Sequence, residues 1–489
     1  MPEPGILSLA PVLLTLAVAL AARNVLVGLF VGVAAGVALV GATGIADFLP
    51  VLIGEYLVPQ VADGYNASVL VLLAFIGGFV RLMESSGGGP AFAASVTRWV
   101  VNRVRAQLAA WAGGVVIFFS DLGTPLIVGP VFQPLADRLG VTRQKLAFVL
   151  DSTSSPVAIL VPFIGWGVFI MSVIADAFAA NGIATSEYSA FVAAIPFQFY
   201  AWLAIAMAPL LALLDIDYGP MRTAPNEIVA GEEAPPGAVP GCAGPVLVWL
   251  PLAVLGAVLF ALLAGYGFPA QQVAGSDFRA ALAAAYCCAA LALVALLVGK
   301  RLATGTELVG RYVAGMSGMT SIAATLVLAW ALGDLSAELG TGAYVAAAAR
   351  EGVDAAWLPA LVFLLAAIIS FATGSSWGTI IIMIPLAVPA AAATGAVLPV
   401  VIGAVLSGGL FGDHSSPVSE TTLLSSSGAG TTPLAHFRTQ MPYALTNGGL
   451  ALLAFLVAGS VASPLIAVAA LSAQALLLLA IRLGLRAHG

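Results

Sequence analysis

Four short stretches of the sequence combine carboxylates and hydroxyls with the glycine and proline residues that interrupt helices. They are SDLGTP at 120–125, DSTSSP at 151–156, TGSSWGT at 373–379 and GDHSSPVSETT at 412–422. An interrupted helix leaves backbone carbonyls unpaired, and the neighbouring side chains add hydroxyl and carboxylate oxygens. Because a hard cation such as sodium needs a cage of oxygen ligands, this pattern predicts a cation site.

The carboxylates in these stretches are the main candidates for holding the ion, and Asp121, Asp151 and Asp413 are the predicted sodium ligands. The complete set of predicted ion- or proton-binding residues is Asp121, Thr124, Asp151, Ser152, Ser154, Ser155, Thr373, Ser375, Ser376, Thr379, Asp413, His414, Ser415, Ser416 and Glu420. Structural alternatives stay open, because Asp caps broken helices and Ser and Thr bond back to their own helix. His414 has the chemistry to relay a proton, although a single histidine is more often a packing or capping residue.

The composition places the chain in a membrane. Hydrophobic residues make up 61% of its 489 positions and charged residues 8%, against about 25% charged residues in a soluble domain. The long apolar runs are continuous rather than alternating, which indicates helices and not a porin-like barrel. The three cysteines have no metal-ligand spacing, and the net charge of −6 argues against nucleic acid as a partner. The expected partners are the lipid bilayer and transported ions, with no cofactor.

A carboxylate inside hydrocarbon costs roughly 2.5–3.5 kcal/mol on insertion scales, so its presence there indicates a function. Desolvation favours the protonated form of such a group, and a bound cation favours the charged form. A proton and a cation therefore compete for one carboxylate. This competition is sufficient for exchange transport if the occupied site moves and the empty charged site does not.

Apolar runs of spanning length predict the membrane crossings. They fall at about 6–22, 25–42, 68–83, 146–180, 190–214, 246–265, 278–299, 312–333, 397–427, 443–462 and 464–481. The start of the chain, MPEP, has no basic region. A cleaved signal peptide is therefore not expected, and 6–22 is interpreted as the first crossing.

Two further apolar stretches, about 106–132 and 357–391, are predicted to form re-entrant hairpins. Basic residues flank the first one on both sides, and because such residues collect in cytoplasmic loops, both of its ends are expected on one face of the membrane. The flanking residues are Arg98, Arg103 and Arg105 before it and Arg138, Arg143 and Lys145 after it. The prediction is then eleven crossings and two hairpins, with the N-terminus outside, the C-terminus inside and 43–67 as an outer loop.

The two hairpins also match each other in sequence. Gly123, Thr124, Pro130, Pro134 and Gly140 recur 255 positions later as Gly378, Thr379, Pro385, Pro389 and Gly395. An odd number of predicted crossings separates the equivalents, so the halves run in opposite directions, which places the substrate site near the midplane between them. The predicted fold class is an all-α polytopic membrane protein with two inverted-topology repeats, each with a re-entrant helical hairpin and a broken transmembrane helix.

The predicted domains follow from this repeat. They are the first repeat at 1–214, a cytoplasmic linker at 215–244, the second repeat at 245–462 and an extra C-terminal transmembrane helix at 463–489. Gly28, Gly32 and Gly36 form a seam of small residues that is interpreted as internal packing rather than a dimer interface. A homodimer stays open. Arg81 and Glu84, one helical turn apart, are predicted to pair.

At the four stretches the chain resembles the NhaC-type sodium/proton antiporter family, over about Gly77 to Leu450. The most specific matches are DSTSSPVA at 151–158, FATGSSWGT at 371–379, FGDHSSPVSETTLLSS at 411–426 and RTQMPYAL at 438–445. The resemblance implies exchange of sodium for protons across the plasma (inner) membrane by alternating access, without a prosthetic group.

The chain departs from the family pattern at three points. Ser120 stands where family members commonly have an aspartate, Thr124-Pro125 replaces Asn-Thr, and Glu420 stands where an aspartate is usual. Some relatives exchange malate and lactate, so the alternative function is a sodium- or proton-coupled exchanger of a small carboxylate or an amino acid. The four stretches contain no Arg or Lys that could pair with such an anion, so this alternative is disfavoured.

Two other classes of function are also weighed. A passive channel would differ from an exchanger in showing no coupling of ion flux to a proton gradient. An intramembrane enzyme is disfavoured, because the sequence has no His-Glu-x-x-His and no paired nucleophile and base.

Overall fold

The computed structural model describes residues 5–22, 24–40, 45–89, 91–92, 100–121, 123–224, 244–268, 273 and 275–487. Within these residues the secondary structure is helical and contains no strand. Seven helical segments within the described residues are long and apolar enough to cross a membrane, with Gly305–Glu338 counted as one, or eight if Glu187–Phe197 and Phe199–Leu214, bent by 47°, form one span. The predicted all-α membrane fold is confirmed, and the count of eleven crossings stays a prediction.

The helices of the first half are short and are often interrupted. They are α1 (Ala10–Ala22), α2 (Val25–Val40), α3 (Ile45–Val51), α4 (Val58–Ala62), α5 (Gly64–Glu84), α6 (Arg103–Val116), α7 (Gly123–Arg138), α8 (Arg143–Ser152), α9 (Ser155–Ala158), α10 (Gly165–Ala180), α11 (Glu187–Ala194), α12 (Phe199–Leu214) and α13 (Pro220–Thr223). A 3-10 turn at Ile6–Leu9 precedes α1, and another at Ile195–Phe197 joins α11 to α12. A π-helical segment at Leu52–Leu57 joins α3 to α4.

The second half contains longer helices. They are α14 (Val246–Gly265), α15 (Gly275–Gly299), α16 (Gly305–Gly318), α17 (Thr320–Glu338), α18 (Thr341–Gly352), α19 (Leu358–Thr373), α20 (Ser376–Thr394), α21 (Leu398–His414), α22 (Glu420–Ala429), α23 (Pro433–Val461) and α24 (Leu465–Ala487). Helices α14, α15 and α24 lie close to predicted crossings, and α23 contains most of the crossing predicted at 443–462 but begins ten residues before it. An uninterrupted apolar run is a direct signal of a membrane helix.

Each half contains one helical hairpin at the predicted place. Helices α6 and α7 are joined through 117–122, of which position 122 lies outside the described residues, and α19 and α20 are joined through Gly374 and Ser375. Gly374 has a φ of +67°, a conformation that glycine adopts without steric cost. Ser375 caps α20 by accepting a hydrogen bond from the Gly378 amide. That both ends of each hairpin face one side of the membrane stays a prediction.

Each half also contains one broken helix. The apolar run predicted at 146–180 divides into α8, α9 and α10, and the run at 397–427 divides into α21 and α22. The breaks fall at Thr153-Ser154 and at 415–419, inside the DSTSSP and GDHSSPVSETT stretches. Hydroxyls that bond to the backbone and prolines that lack an N–H both favour a break at these points.

The region at 43–67 differs from the predicted outer loop. Its described part is occupied by α3, the π-helical segment and α4, and Asp63 caps α5 through the Asn66 amide. Leu52 is 1% exposed, so this segment packs against the rest of the protein. Helices this short have a weak sequence signal, since tertiary packing supplies most of their stability.

The two halves interlock through their hairpins and broken helices. Helix α7 approaches α22 so closely that a Cβ on Gly129 would lie 2.1 Å from the carbonyl oxygen of Gly428. Gln133 Nε2 donates to that carbonyl at 2.7 Å, and Arg143 Nη1 donates to the Ala429 carbonyl at 2.9 Å. Helix α20 packs against α10, the last helix of the interrupted run at 146–180. Each hairpin therefore packs against the interrupted run of the other half.

Two smaller predictions are also met. Gly28 and Gly32 face Thr15 and other residues of α1, and Gly36 faces Leu335 of α17, so the small-residue seam is buried inside the protein. Arg81 Nη1 lies 3.8 Å from Glu84 Oε2, as the spacing predicts. Residues 225–243 of the predicted linker, together with Arg23 and Arg98, lie outside the described residues. The domain boundaries stay predictions.

Candidate functional site

Asp151 ends the last turn of α8 and is the centre of a polar cluster made by the other half of the chain. It is 1% exposed. Gln440 Nε2 donates to its Oδ2 at 2.6 Å, and His436 Nε2 and His414 Nε2 each lie 3.3 Å from the same oxygen. Ser425 Oγ lies 3.4 Å from Oδ1. We call these five residues the Asp151 cluster. Its contacts join α8 to α21, α22 and α23.

His414 extends this cluster to a buried tyrosine. Its Nδ1 lies 2.9 Å from the hydroxyl of Tyr200, which is fully buried on α12. The Gln440 amide also donates to the His414 carbonyl at 2.7 Å, which holds this helix end against α23. A continuous chain of titratable groups therefore runs from Tyr200 through His414 and Asp151 to His436. Imidazoles on both sides of a carboxylate suit it to exchanging a proton.

Asp413, the counterpart of Asp151 in the second half, has a different environment. It lies near the end of α21 and is 4% exposed. Ser419 Oγ donates to its Oδ1 at 2.6 Å, and Thr421 Oγ1 donates to its Oδ2 at 3.3 Å. Ser419 and Thr421 also contact each other at 2.9 Å. We call these three residues the Asp413 cluster. Its side-chain oxygens are of the kind that a hard cation binds.

Several buried polar atoms beside these carboxylates lack a partner. The hydroxyls of Ser152 and Ser155 flank the first helix break, and neither makes a hydrogen bond within the described residues. The same holds for the Thr422 hydroxyl and for Gln440 Oε1. A buried polar group without a partner costs about 1–3 kcal/mol, which a bound ion or water would offset. Hydroxyl and amide oxygens are ligands that a hard cation accepts.

Most of the other predicted hydroxyls have structural roles. Thr124, Thr373, Thr379 and Ser415 donate to backbone carbonyls of the preceding turn. Ser154 donates to the Asp121 carbonyl, Ser375 caps α20, and Ser416 accepts from the Val418 amide at 3.4 Å. Ser376 is buried at the start of α20. For the residues whose hydroxyl bonds within one turn, the local hydrogen bond accounts for the hydroxyl, as the competing interpretation of the sequence allowed, whereas Ser154 bonds to a residue 33 positions away.

Asp121 and Glu420 belong to a separate space. Asp121 Oδ2 accepts a hydrogen bond from Trp166 Nε1 at 2.7 Å, and Glu420 is exposed in the first turn of α22. Both line a cavity of about 1210 Å³ that lies between the connections of the two hairpins. Glu84 also lines it, and Ser120 Oγ donates to Glu84 Oε1 at 2.7 Å. We call this space the hairpin cavity. Of the predicted site residues, Asp151, Asp413 and His414 therefore lie in the two buried clusters, whereas Asp121, Thr373, Ser375 and Glu420 line the hairpin cavity.

The sequence interpretation did not assign five residues that contact the buried carboxylates. They are Ser419, Thr421, Ser425, His436 and Gln440. His436 and Gln440 are four residues apart, so they share one face of α23. Two such polar groups inside an apolar helix are a signal that sequence inspection offers. What they contact could not be inferred, since Asp151 lies 285 and 289 residues away.

Comparison with known proteins identifies the family of the chain that carries these clusters. A sequence model of the Na+/H+ antiporter family matches residues 157–460, a span that includes Asp413, His414, His436 and Gln440. An uncharacterized protein of Haemophilus influenzae is 31% identical over 476 residues, covering 92% of this chain and 90% of the relative. The malate-2H(+)/Na(+)-lactate antiporter of Bacillus subtilis is 39% identical over 107 residues, 20% of this chain and 22% of that protein.

Two solved structures resemble the fold. The YdaH transporter of Alcanivorax borkumensis has a TM-score of 0.58 and 16% identity, covering 87% of this chain and 91% of that one. MtrF of Neisseria gonorrhoeae, described as one of a class of antimetabolite efflux pumps, has a TM-score of 0.55 and 15% identity, covering 94% and 95%. At these identities the likeness concerns the fold alone. Because the family model spans more than half of a helical chain whose fold recurs in solved transporters, the chain belongs to the Na+/H+ antiporter family and is a multi-pass membrane transporter.

Proposed function

We propose that this transporter exchanges sodium ions for protons across the plasma (inner) membrane by alternating access. The observation that carries the proposal is the pair of buried carboxylates, Asp151 and Asp413, at the breaks of the two broken helices. Buried carboxylates in membrane proteins are costly and mark ion or proton pathways. A carboxylate that binds either a proton or a cation couples the two fluxes.

The two clusters divide the work in this proposal. Asp413, with the hydroxyls of Ser419 and Thr421, offers the oxygen ligands that sodium requires. Asp151 carries the proton, since its carboxylate contacts His414 and His436. His414, which contacts Asp151, directly follows Asp413 in the chain. A movement of the backbone at Asp413 would therefore also move a residue of the Asp151 cluster.

The hairpin cavity provides the route by which cations approach. Its wall includes the carboxylates of Glu84, Asp121 and Glu420, which raise the local concentration of cations. Ser154, at the first helix break, donates a hydrogen bond to the Asp121 carbonyl. The end of the hairpin is thereby attached to the stretch that holds Asp151.

A small carboxylate as the main substrate is disfavoured. The Bacillus relative is named for malate and lactate, but it matches only 20% of this chain. Within the described residues, Arg81 is the only basic side chain on the cavity wall, and it already lies 3.8 Å from Glu84. An organic anion would meet three carboxylates against one guanidinium.

The test uses purified protein in proteoliposomes with an imposed pH gradient and an internal pH dye. Sodium, lithium, potassium, malate and lactate are added in turn. We expect sodium to collapse the gradient and malate or lactate to have no effect. Collapse by malate or lactate but not by sodium would refute the proposal. Liposomes with Asp413→Asn protein are the matched control, because that variant keeps the size of the side chain and loses its charge.

A further inference from the structure

The hairpin cavity is larger than an inorganic cation requires. Its volume is about 1210 Å³, whereas pockets for small organic ligands typically measure about 300–1,000 Å³. Both hairpins contribute to its wall, through Ser120 and Asp121 from the first and Thr373 and Ser375 from the second. A space shared by the two repeats in this way lies where a transporter of this architecture binds its substrate.

The charge on the cavity wall is acidic. Within the described residues, its ionisable side chains are the carboxylates of Glu84, Asp121 and Glu420 and the guanidinium of Arg81. With every group charged, three negative charges and one positive charge leave a net charge of −2. In a cleft with low-dielectric walls such a charge attracts cations and repels anions.

Aromatic rings stand beside these carboxylates. Trp166 and Trp377 both line the cavity, with ring centroids 4.7 Å apart, and Phe169 lies 4.3 Å from Trp377. The Trp166 N–H is bound to Asp121 Oδ2 at 2.7 Å, which fixes one indole next to a negative charge. Trp377 is only partly buried. A sodium ion gains most from oxygen ligands, whereas an organic ammonium gains from both a carboxylate and an aromatic face.

We propose that the hairpin cavity binds a small organic cation, an ammonium group carrying an apolar or aromatic substituent. Glu420 and Asp121 supply the negative charge, and Trp377 with Trp166 supplies the aromatic surface. The proposal rests on the proposed function only in treating the cavity as the entrance to the ion site. Such a cation would either be carried in place of sodium or block sodium at the entrance.

The test uses two probes of similar size and opposite permanent charge, benzyltrimethylammonium and benzenesulfonate. Neither carries protons across a bilayer, so neither disturbs the pH gradient by itself. Binding to the purified transporter is measured by isothermal titration calorimetry, and inhibition of sodium-driven proton flux is measured in proteoliposomes. We expect benzyltrimethylammonium to bind at least about tenfold more tightly than benzenesulfonate and to inhibit sodium exchange.

Variants locate the bound cation. Trp377→Leu and Glu420→Gln should each weaken benzyltrimethylammonium binding by about fivefold to tenfold. Trp377→Phe, which keeps an aromatic face, should restore part of the loss. Trp357→Leu and Glu351→Gln are the matched controls, since both side chains are exposed and neither lines the cavity. Binding should be unchanged in both.

The outcomes separate this inference from the proposed function. Equal binding of the two probes, or unchanged binding in both Trp377→Leu and Glu420→Gln, would overturn the inference even if sodium exchange is normal. Tight cation binding that both cavity variants weaken would support the inference even if sodium fails to collapse the pH gradient. Calorimetry measures binding of the probe without requiring transport, so its result does not depend on whether the protein exchanges sodium.

Discussion

The two helix breaks carry related sequences, DSTSSP at 151 and DHSSP at 413, yet their carboxylates have different partners. Within the described residues, the polar contacts of the Asp151 carboxylate come from side chains of the opposite half, including two imidazoles. Asp413 contacts Ser419 and Thr421, which belong to its own broken helix. One carboxylate is therefore held between the repeats, and the other is held within one.

This difference has a consequence for alternating access. If the two repeats move relative to each other, the contacts of Asp151 must change, while the hydroxyls around Asp413 can travel with it. A carboxylate that loses donors changes its affinity for a proton. We therefore expect Asp151 to couple proton binding to the movement and Asp413 to determine cation affinity.

The largest expected effect comes from neutralising the carboxylates. Asp151→Asn and Asp413→Asn should each lower sodium/proton exchange by about a hundredfold or more, since the charge that either ion binds is lost. Proteoliposome exchange measures the activity, and size-exclusion profiles in detergent check that both variants remain folded. Normal exchange in both variants would remove these residues from the mechanism.

A second prediction concerns His436, which belongs to the Asp151 cluster and makes no contact with Asp413 among the described residues. His436→Leu removes the imidazole that lies 3.3 Å from Asp151 Oδ2, so the pH dependence of exchange should change if this cluster carries the proton. The pH at which exchange is half-maximal should move by about one unit. Thr439→Val, on the same helix with its hydroxyl bonded to its own backbone, is the control. An unchanged pH profile in His436→Leu would argue against a proton-carrying role for this cluster.

Variants of the Asp413 cluster should change the affinity for sodium and leave the pH dependence of exchange unchanged. Ser419→Ala and Thr421→Val each remove an oxygen next to Asp413, so the KM for sodium should rise by about threefold to tenfold. The pH midpoint at saturating sodium should stay in place. Exchange rates across a sodium titration at several pH values separate these two parameters. A shifted pH midpoint with an unchanged KM would reverse the assignment of the two clusters.

The smallest effect is expected where the hydroxyl bonds to its own helix. Ser415→Ala and Thr379→Val remove hydrogen bonds to backbone carbonyls of the preceding turn and no contact, within the described residues, with either carboxylate. Exchange should change by less than about twofold, since such back-bonds contribute little to a helix. A loss of sodium affinity in either variant would return that hydroxyl to the ion site.

Much of the fold could be predicted because its signals are local. Uninterrupted apolar runs located α14, α15, α23 and α24, and glycine, proline and hydroxyl residues located both hairpins and both helix breaks. The segment at 45–62 was missed because its helices are short and depend on tertiary packing. For the same reason the apolar run at 146–180 did not reveal how many separate helices it forms.

The sequence by itself determined that this chain is a helical membrane protein, where its helices break, that Asp151 and Asp413 lie at those breaks, and that Asp121 lies in the connection of the first hairpin. These properties depend on neighbouring residues, since hydrophobicity, missing N–H groups and backbone-bonding hydroxyls act within a few turns. Only the tertiary structure decided that His436 and Gln440 reach Asp151 across more than 280 residues, that Asp413 stays with its own half, and that Asp121 and Glu420 face a cavity instead. Such contacts depend on how the two halves interlock, and the close approach of Gly129 and Gly428 that allows it is a property of packed surfaces rather than of either segment.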